Sequence, residues 1–118
     1  MLNELLEGLL DRIPGSLAAV LAGLDGLVVD SRTRDPECPF EPLAAHGARL
    51  FRNGEKAIGD LSEPVLQELM LVSGRNFILL RSVGSSYFLL LILARTACLG
   101  KARYELQKAE KNFAAELA

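Results

Sequence analysis

The sequence predicts an α+β domain, one antiparallel sheet with helices packed on it, and three observations point there. The stretches LAGLDGLVVD (21–30) and NFILLRSVGSSYFLLLILA (76–94) each read as two apolar runs joined by a tight turn. Residues 2–13 and the C-terminal stretch KARYELQKAEKNFAAEL instead carry apolar residues at spacings of three and four, the mark of amphipathic helices. Between them lies a third helical pattern, followed by one ambiguous segment. The order is helix, hairpin, helix, ambiguous segment, hairpin, helix. If that segment is a strand, the chain has one five-stranded antiparallel sheet with helices against it.

The first helix places Leu2, Leu5, Leu6, Leu9, Leu10 and Ile13 on one side and Glu4, Glu7 and Asp11 between them, and Pro14-Gly15 stops it. The apolar run Leu17–Gly23 then meets Leu24-Asp25-Gly26 and LVVD. Asp-Gly between apolar runs predicts a tight primed turn, which needs positive φ. Residues 32–42, RTRDPECPFEP, hold three of the five prolines and read as a loop. Pro42 suits the first turn of a second helix, expected from Pro42 to Ile58. Leu43, Gly47, Leu50, Gly54 and Ile58 form one stripe of that helix. Each glycine costs a helix about 0.5–1 kcal/mol relative to alanine, so two on one stripe point to close approach of another backbone, either the chain's own sheet or a second copy.

The ambiguous segment is SEPVLQELMLV, residues 62–72. Ser62 as a cap, an early Pro64, and Val65, Leu66, Leu69 and Met70 at helical spacing favour a helix by propensity. The alternative is a strand, VLQELMLV, ahead of the turn Ser73-Gly74-Arg75-Asn76. Such a strand would be long, apolar and weakly charged, and an exposed edge of that kind invites pairing with another chain. Gly84-Ser85-Ser86 joins the second hairpin, and Ala102, Leu106, Ala109 and Phe113 stripe the last helix.

Composition narrows the function. The 118 residues, half of them hydrophobic and 24% charged, suit one globular domain over 1–118, and a net charge of −2 advertises no polyanion partner. Nucleic-acid binding is not expected, nor is membrane insertion, because the longest uncharged run, SVGSSYFLLLILA, falls short of the ~20 apolar residues a span requires. Two isolated cysteines, Cys38 and Cys98, fit reduced thiols in a cytoplasmic protein. His46 is the only histidine, so a His-rich metal site and a conventional triad have little to draw on, and no cofactor is expected. Cys38, eight residues before His46, offers the one nucleophile–base pair, but that spacing fixes no geometry. The helix pattern also puts Arg49, Arg52 and Lys56 on one basic ridge away from the glycine stripe, a solvated face or a partner contact.

Certain of these residues resemble a known family. The last hairpin followed by LGKARYELQKA (99–109) is similar to the end of Roadblock-family domains, which include dynein light chains and bacterial regulators of small Ras-like GTPases; LAGLDGLVVDS resembles the family's first hairpin. The resemblance implies a longin-like or profilin-like α/β sandwich in which the ambiguous segment is the third of five strands. It implies a homodimer formed through the third strand and second helix, placing Leu43, Gly47, Leu50, Gly54, Val65, Gln67, Leu69 and Leu71 at the interface. It further implies a non-catalytic scaffold whose partner is a small Ras-like GTPase or a signalling or motor complex, with Arg49, Arg52 and Lys56 as candidate partner contacts. A small-molecule-sensing module of similar shape is the alternative.

Overall fold

The computed structural model describes residues 1–61 and 65–118. Its elements are α1 (Leu2–Arg12), β1 (Ser16–Gly23), β2 (Val28–Thr33), α2 (Phe40–Gly59), β3 (Glu68–Val72), β4 (Asn76–Val83), β5 (Tyr87–Ala94) and α3 (Leu99–Leu117). The strands make one antiparallel sheet in the order β2-β1-β5-β4-β3. The expected five-stranded α+β architecture is therefore present, with β5 at its centre and β2 and β3 at its edges.

Two apolar layers sandwich the sheet. On one face Leu6, Leu9 and Leu10 of α1 and Ala102, Leu106, Ala109 and Phe113 of α3 pack on Ala19, Leu21, Leu79, Leu89, Leu91 and Leu93. On the other, Ala44, Ala48 and Phe51 of α2 pack on Ala18, Val20, Leu80, Phe88, Leu90 and Ile92. Side chains alternate across a strand, so YFLLLILA must be apolar throughout because both of its faces are covered. Each fully buried leucine or phenylalanine there contributes about 1.5–3 kcal/mol by leaving water. The apolar stripes read for the first and last helices are the sides that meet the sheet.

Three local expectations need correction. The second helix begins at Phe40 and ends at Gly59, a little longer at both ends than 42–58. The first hairpin is not a two-residue primed turn: Gly26 N–H donates to the Gly23 carbonyl, Asp25 Oδ1 accepts from Leu27 N–H at 3.0 Å, and only then does β2 begin. Gly26 does take the positive φ, +90°, that the turn requires. The third strand spans Glu68–Val72 and not 65–72, so Val65 and Gln67 precede it. Its partner runs out: β4 ends at Val83 and turns away at Gly84, leaving only a last bond from Ser82 N–H to the Gln67 carbonyl at 3.0 Å. The reading of Ser62 and Pro64 as a helix start lies outside the described residues.

Candidate functional site

The β3 edge is the most exposed apolar feature of the sheet. Its five residues pair in unbroken register with β4, Leu69 opposite Leu80, Met70 opposite Leu79, Leu71 opposite Ile78 and Val72 opposite Phe77. Its other edge carries no strand among the described residues. α2 lies mainly over β1, β2 and β5, and α3 over β4, so neither helix packs extensively on β3 among the described residues. Met70, Leu71 and Val72 are consequently 40%, 38% and 54% exposed. Leu50 on α2 and Val65 and Leu61 in the approach to β3 are exposed as well. Isolated exposed apolar residues need no explanation, but a run of them along an unpaired strand does.

The sequence-predicted interface residues divide by location. Leu69 and Leu71 share the face of β3 that looks toward α2, since their partners Leu80 and Ile78 belong to that layer. Leu50 is exposed, and Leu43 is half-buried against the α2-side core. Gly47 is buried within its own chain: a Cβ there would stand 3.0 Å from Leu80 Cδ2, 3.2 Å from Leu90 Cδ1 and 3.4 Å from Phe88. Close approach to the chain's own sheet accounts for that glycine. Gly54 is notched for a neighbour too, a Cβ there lying 2.8 Å from Leu66 Cδ2 in the segment that leads into β3. Val65 and Gln67 are exposed beside it.

Arg49, Arg52 and Lys56 all project into solvent from α2. Arg52 also donates from its guanidinium to the carbonyl of Leu24, which ties the β1–β2 hairpin to the helix. On the opposite face of the sheet the structure assembles a charge network that sequence reasoning missed. Glu68, the first residue of β3, faces Arg81 of β4 (3.4 Å) and Arg103 of α3 (2.6 Å), and Arg81 in turn reaches Glu110 of α3 (2.6 Å). The advance signal was one charge in each of two largely apolar strands, Arg81 in NFILLRSV and Glu68 in ELMLV.

The candidate nucleophile and base lie in different surroundings. Cys38 sits half-buried on the α2-side core, whereas His46 is on the solvent side of α2. Burial, reinforced by the Asp35 carboxylate, pushes the Cys38 thiol above its ordinary pKa, and a hydrogen bond with Thr33 only partly opposes this. A raised pKa disfavours the thiolate. Among the described residues no three His, Cys, Asp or Glu side chains gather as metal ligands, and no helix is long and apolar enough to cross a membrane.

A central strand buried on both faces, two helices on one side, one on the other and an open third strand define the arrangement. A family profile for the Roadblock/LC7 domain matches residues 2–94. The chain belongs to the Roadblock/LC7 family. Among solved structures, the gliding protein MglB from Thermus thermophilus is 26% identical with a TM-score of 0.89, the match covering 98% of this chain and 89% of that one. A Roadblock/LC7 domain from Streptomyces avermitilis is 24% identical with a TM-score of 0.88 over 97% of this chain and 95% of that one. An MglB described with a tetrameric arrangement is 24% identical with a TM-score of 0.90, over 96% and 85%. No curated protein matches at the level of sequence.

Proposed function

We propose that this Roadblock/LC7 domain is a non-catalytic homodimeric scaffold that binds a small Ras-like GTPase and modulates its nucleotide cycle, or tethers a signalling complex containing one. The observation that carries the reading is the bare β3 edge. A five-residue strand with three exposed apolar side chains, and no helix packed extensively on it among the described residues, is an aggregation hazard in a monomer, and a two-fold pairing of β3 with a second β3 removes it. Leu50 and Leu43 on α2, and Leu69 and Leu71 on the adjacent face of β3, would extend that contact, with Val65, Gln67 and Gly54 at its margin. Gly47 would act indirectly, by letting α2 sit low on the sheet.

The likeness to an MglB described with a tetrameric arrangement supports self-association, and the regulatory half rests on what the Roadblock resemblance implies. Arg49, Arg52 and Lys56 are the proposed contacts to the partner, exposed on the helix that flanks the edge. A scaffold of this kind needs no nucleophile of its own, because it acts by reshaping the GTPase's site. The small-molecule alternative has less support: the clefts of about 740, 500 and 370 Å³ lie open to solvent, and the most enclosed cavity, lined by Leu17, Asp35, Cys38, Leu43, Asn76 and Ile78, measures about 220 Å³. That is below the ~300–1,000 Å³ of sites that bury a drug-sized ligand.

The test mixes the purified chain with a small Ras-like GTPase encoded in the same genome, loaded either with GDP or with a non-hydrolysable GTP analogue. Co-elution on gel filtration and a calorimetric binding signal in one nucleotide state are expected. No binding in either state removes the GTPase reading.

A further inference from the structure

The geometry points to a register lock on the interface strand: Glu68, Arg81, Arg103 and Glu110 together fix which residues of β3 stand opposite β4, and therefore which residues β3 offers to a second copy. This rests on the dimer reading above only in taking β3 as the edge that the second copy meets.

Backbone hydrogen bonds between two strands are blind to sequence, so an edge strand held by them alone is free to slide. A slip of one residue is excluded because it would turn every side chain to the other face. A slip of two keeps the faces, but it breaks the Ser73–Asn76 turn bonds and retains two of the four apolar pairs, Leu69–Ile78 and Met70–Phe77 in one direction or Leu71–Leu80 and Val72–Leu79 in the other. Packing opposes these slips weakly, since Leu69 is tucked against the α2-side core while Met70, Leu71 and Val72 are exposed.

The charge pair adds the strongest constraint. In the observed register Glu68 stands directly opposite Arg81, and both side chains are nearly buried, at 10% and 13% exposure. Sliding β3 by two residues in one direction brings Glu68 opposite Leu79, and in the other opposite Val83. Either slip strands a carboxylate and a guanidinium against apolar partners, the costly way to break a semi-buried pair. The lock is anchored outside the hairpin, because Arg103 and Glu110, two turns apart on one side of α3, hold Glu68 and Arg81 at 2.6 Å each. Charges alternate along Arg103, Glu68, Arg81 and Glu110, so each group has an opposite neighbour. In a two-fold pairing of edges a slip in one strand misplaces the contacts of both copies, which makes register at β3 matter more than at an edge facing water.

Arg81 is accordingly a positioning residue for self-association, and Arg81→Met, which keeps the apolar stem, is the decisive variant. In dilute monomer the wild type should show cross-strand proton contacts for the pairs Leu69–Leu80 and Leu71–Ile78 by NMR. Arg81→Met should lose or double them while β1 and β5 keep theirs, and its dimer dissociation constant by sedimentation equilibrium should rise by at least about tenfold. Glu68→Gln, nearly isosteric, should do the same and serves where Arg81→Met fails to fold. Arg103→Met, which removes an outer and half-exposed partner, should have a smaller effect. An intact native pattern in Arg81→Met or Glu68→Gln overturns the lock whatever the dimer does. A lost pattern with an unchanged dissociation constant overturns its role in association. A wild type that never dimerises removes the scaffold reading instead, and the β3 pattern of its monomer still decides the lock.

Discussion

The two edges of the sheet are built on opposite plans. β2 is interrupted: Leu21 faces Asp30 and Ala22 faces Val28, so Val29 is an extra, bulged residue that twists the strand out of line. It also bears charge, Asp30 and Arg32, and is strapped to α1 by Arg32 with Glu7 and by Arg34 with Asp11. β3 has no bulge, no charge after Glu68 and no helix packed extensively on it among the described residues, and its one carboxylate is turned inward to Arg81 and Arg103. Bulges and charges are the ordinary means of keeping an edge from pairing. Their presence on one edge and absence from the other fits the proposal that β3 is the edge a second copy meets.

The largest expected effect breaks that contrast directly. Leu71→Lys puts a cation at the centre of the β3 edge, and the proposed dimer should weaken by at least ~2 kcal/mol and run as a monomer in sedimentation velocity. Val29→Lys, the same change on the bulged edge, should leave sedimentation untouched. Equal effects at both positions would mean that β3 is not special.

Next in size is a change beneath the edge. Gly47→Leu drives a side chain into Leu80, Leu90 and Phe88, and overpacking of this kind should lower folding stability by about 1–3 kcal/mol in urea titrations. Gly54→Ala is expected to stay within about 1 kcal/mol of wild type, because its new methyl meets only the tip of Leu66 and alanine is the better helix former. The pair separates a glycine that the fold requires from one beside the edge.

Which parts of this contrast could be read from sequence follows from which interactions are local. The doubly buried β5 was legible in YFLLLILA, and α3 in its stripe of Ala102, Leu106, Ala109 and Phe113, because periodicity records burial. β3 was not: Val65, Leu66, Leu69 and Met70 have helical spacing, and only pairing with β4, a tertiary event, makes a strand of ELMLV. The glycine stripe announced close approach but not its direction, and Gly47 meets its own sheet. The Glu68–Arg81–Glu110 network joins residues from three elements, so no spacing along the chain encodes it.

A further difference lies in the loop that leaves β2, where Cys38 offers the one thiol that a catalytic reading would need. Its pKa is raised, first by burial and then by Asp35, so the native state holds the thiol proton more tightly than the unfolded chain does. Above the ordinary thiol pKa the unfolded state therefore gains by ionising first, and this contribution to stability is lost as pH rises through the folded value. At neutral pH iodoacetamide should modify the exposed Cys98 well before Cys38, as mass spectrometry of the digested protein would show. Preferential labelling of Cys38 would reopen the enzymatic reading.

The smallest effect asks what blunts β2. Arg32 and Glu7 are 3.6 Å apart with side chains 39% and 53% exposed, a pair in which solvent screening cancels most of the attraction. Glu7→Gln should therefore change stability by less than ~0.5 kcal/mol and should not create any new association, since the bulge at Val29 and the charges themselves stay in place. If the variant instead forms higher oligomers with rising concentration, the strap to α1, and not the bulge, is what keeps β2 from pairing. β2 would then be an edge held shut by one surface ion pair, and the two edges would differ in degree where the bulge makes them differ in kind.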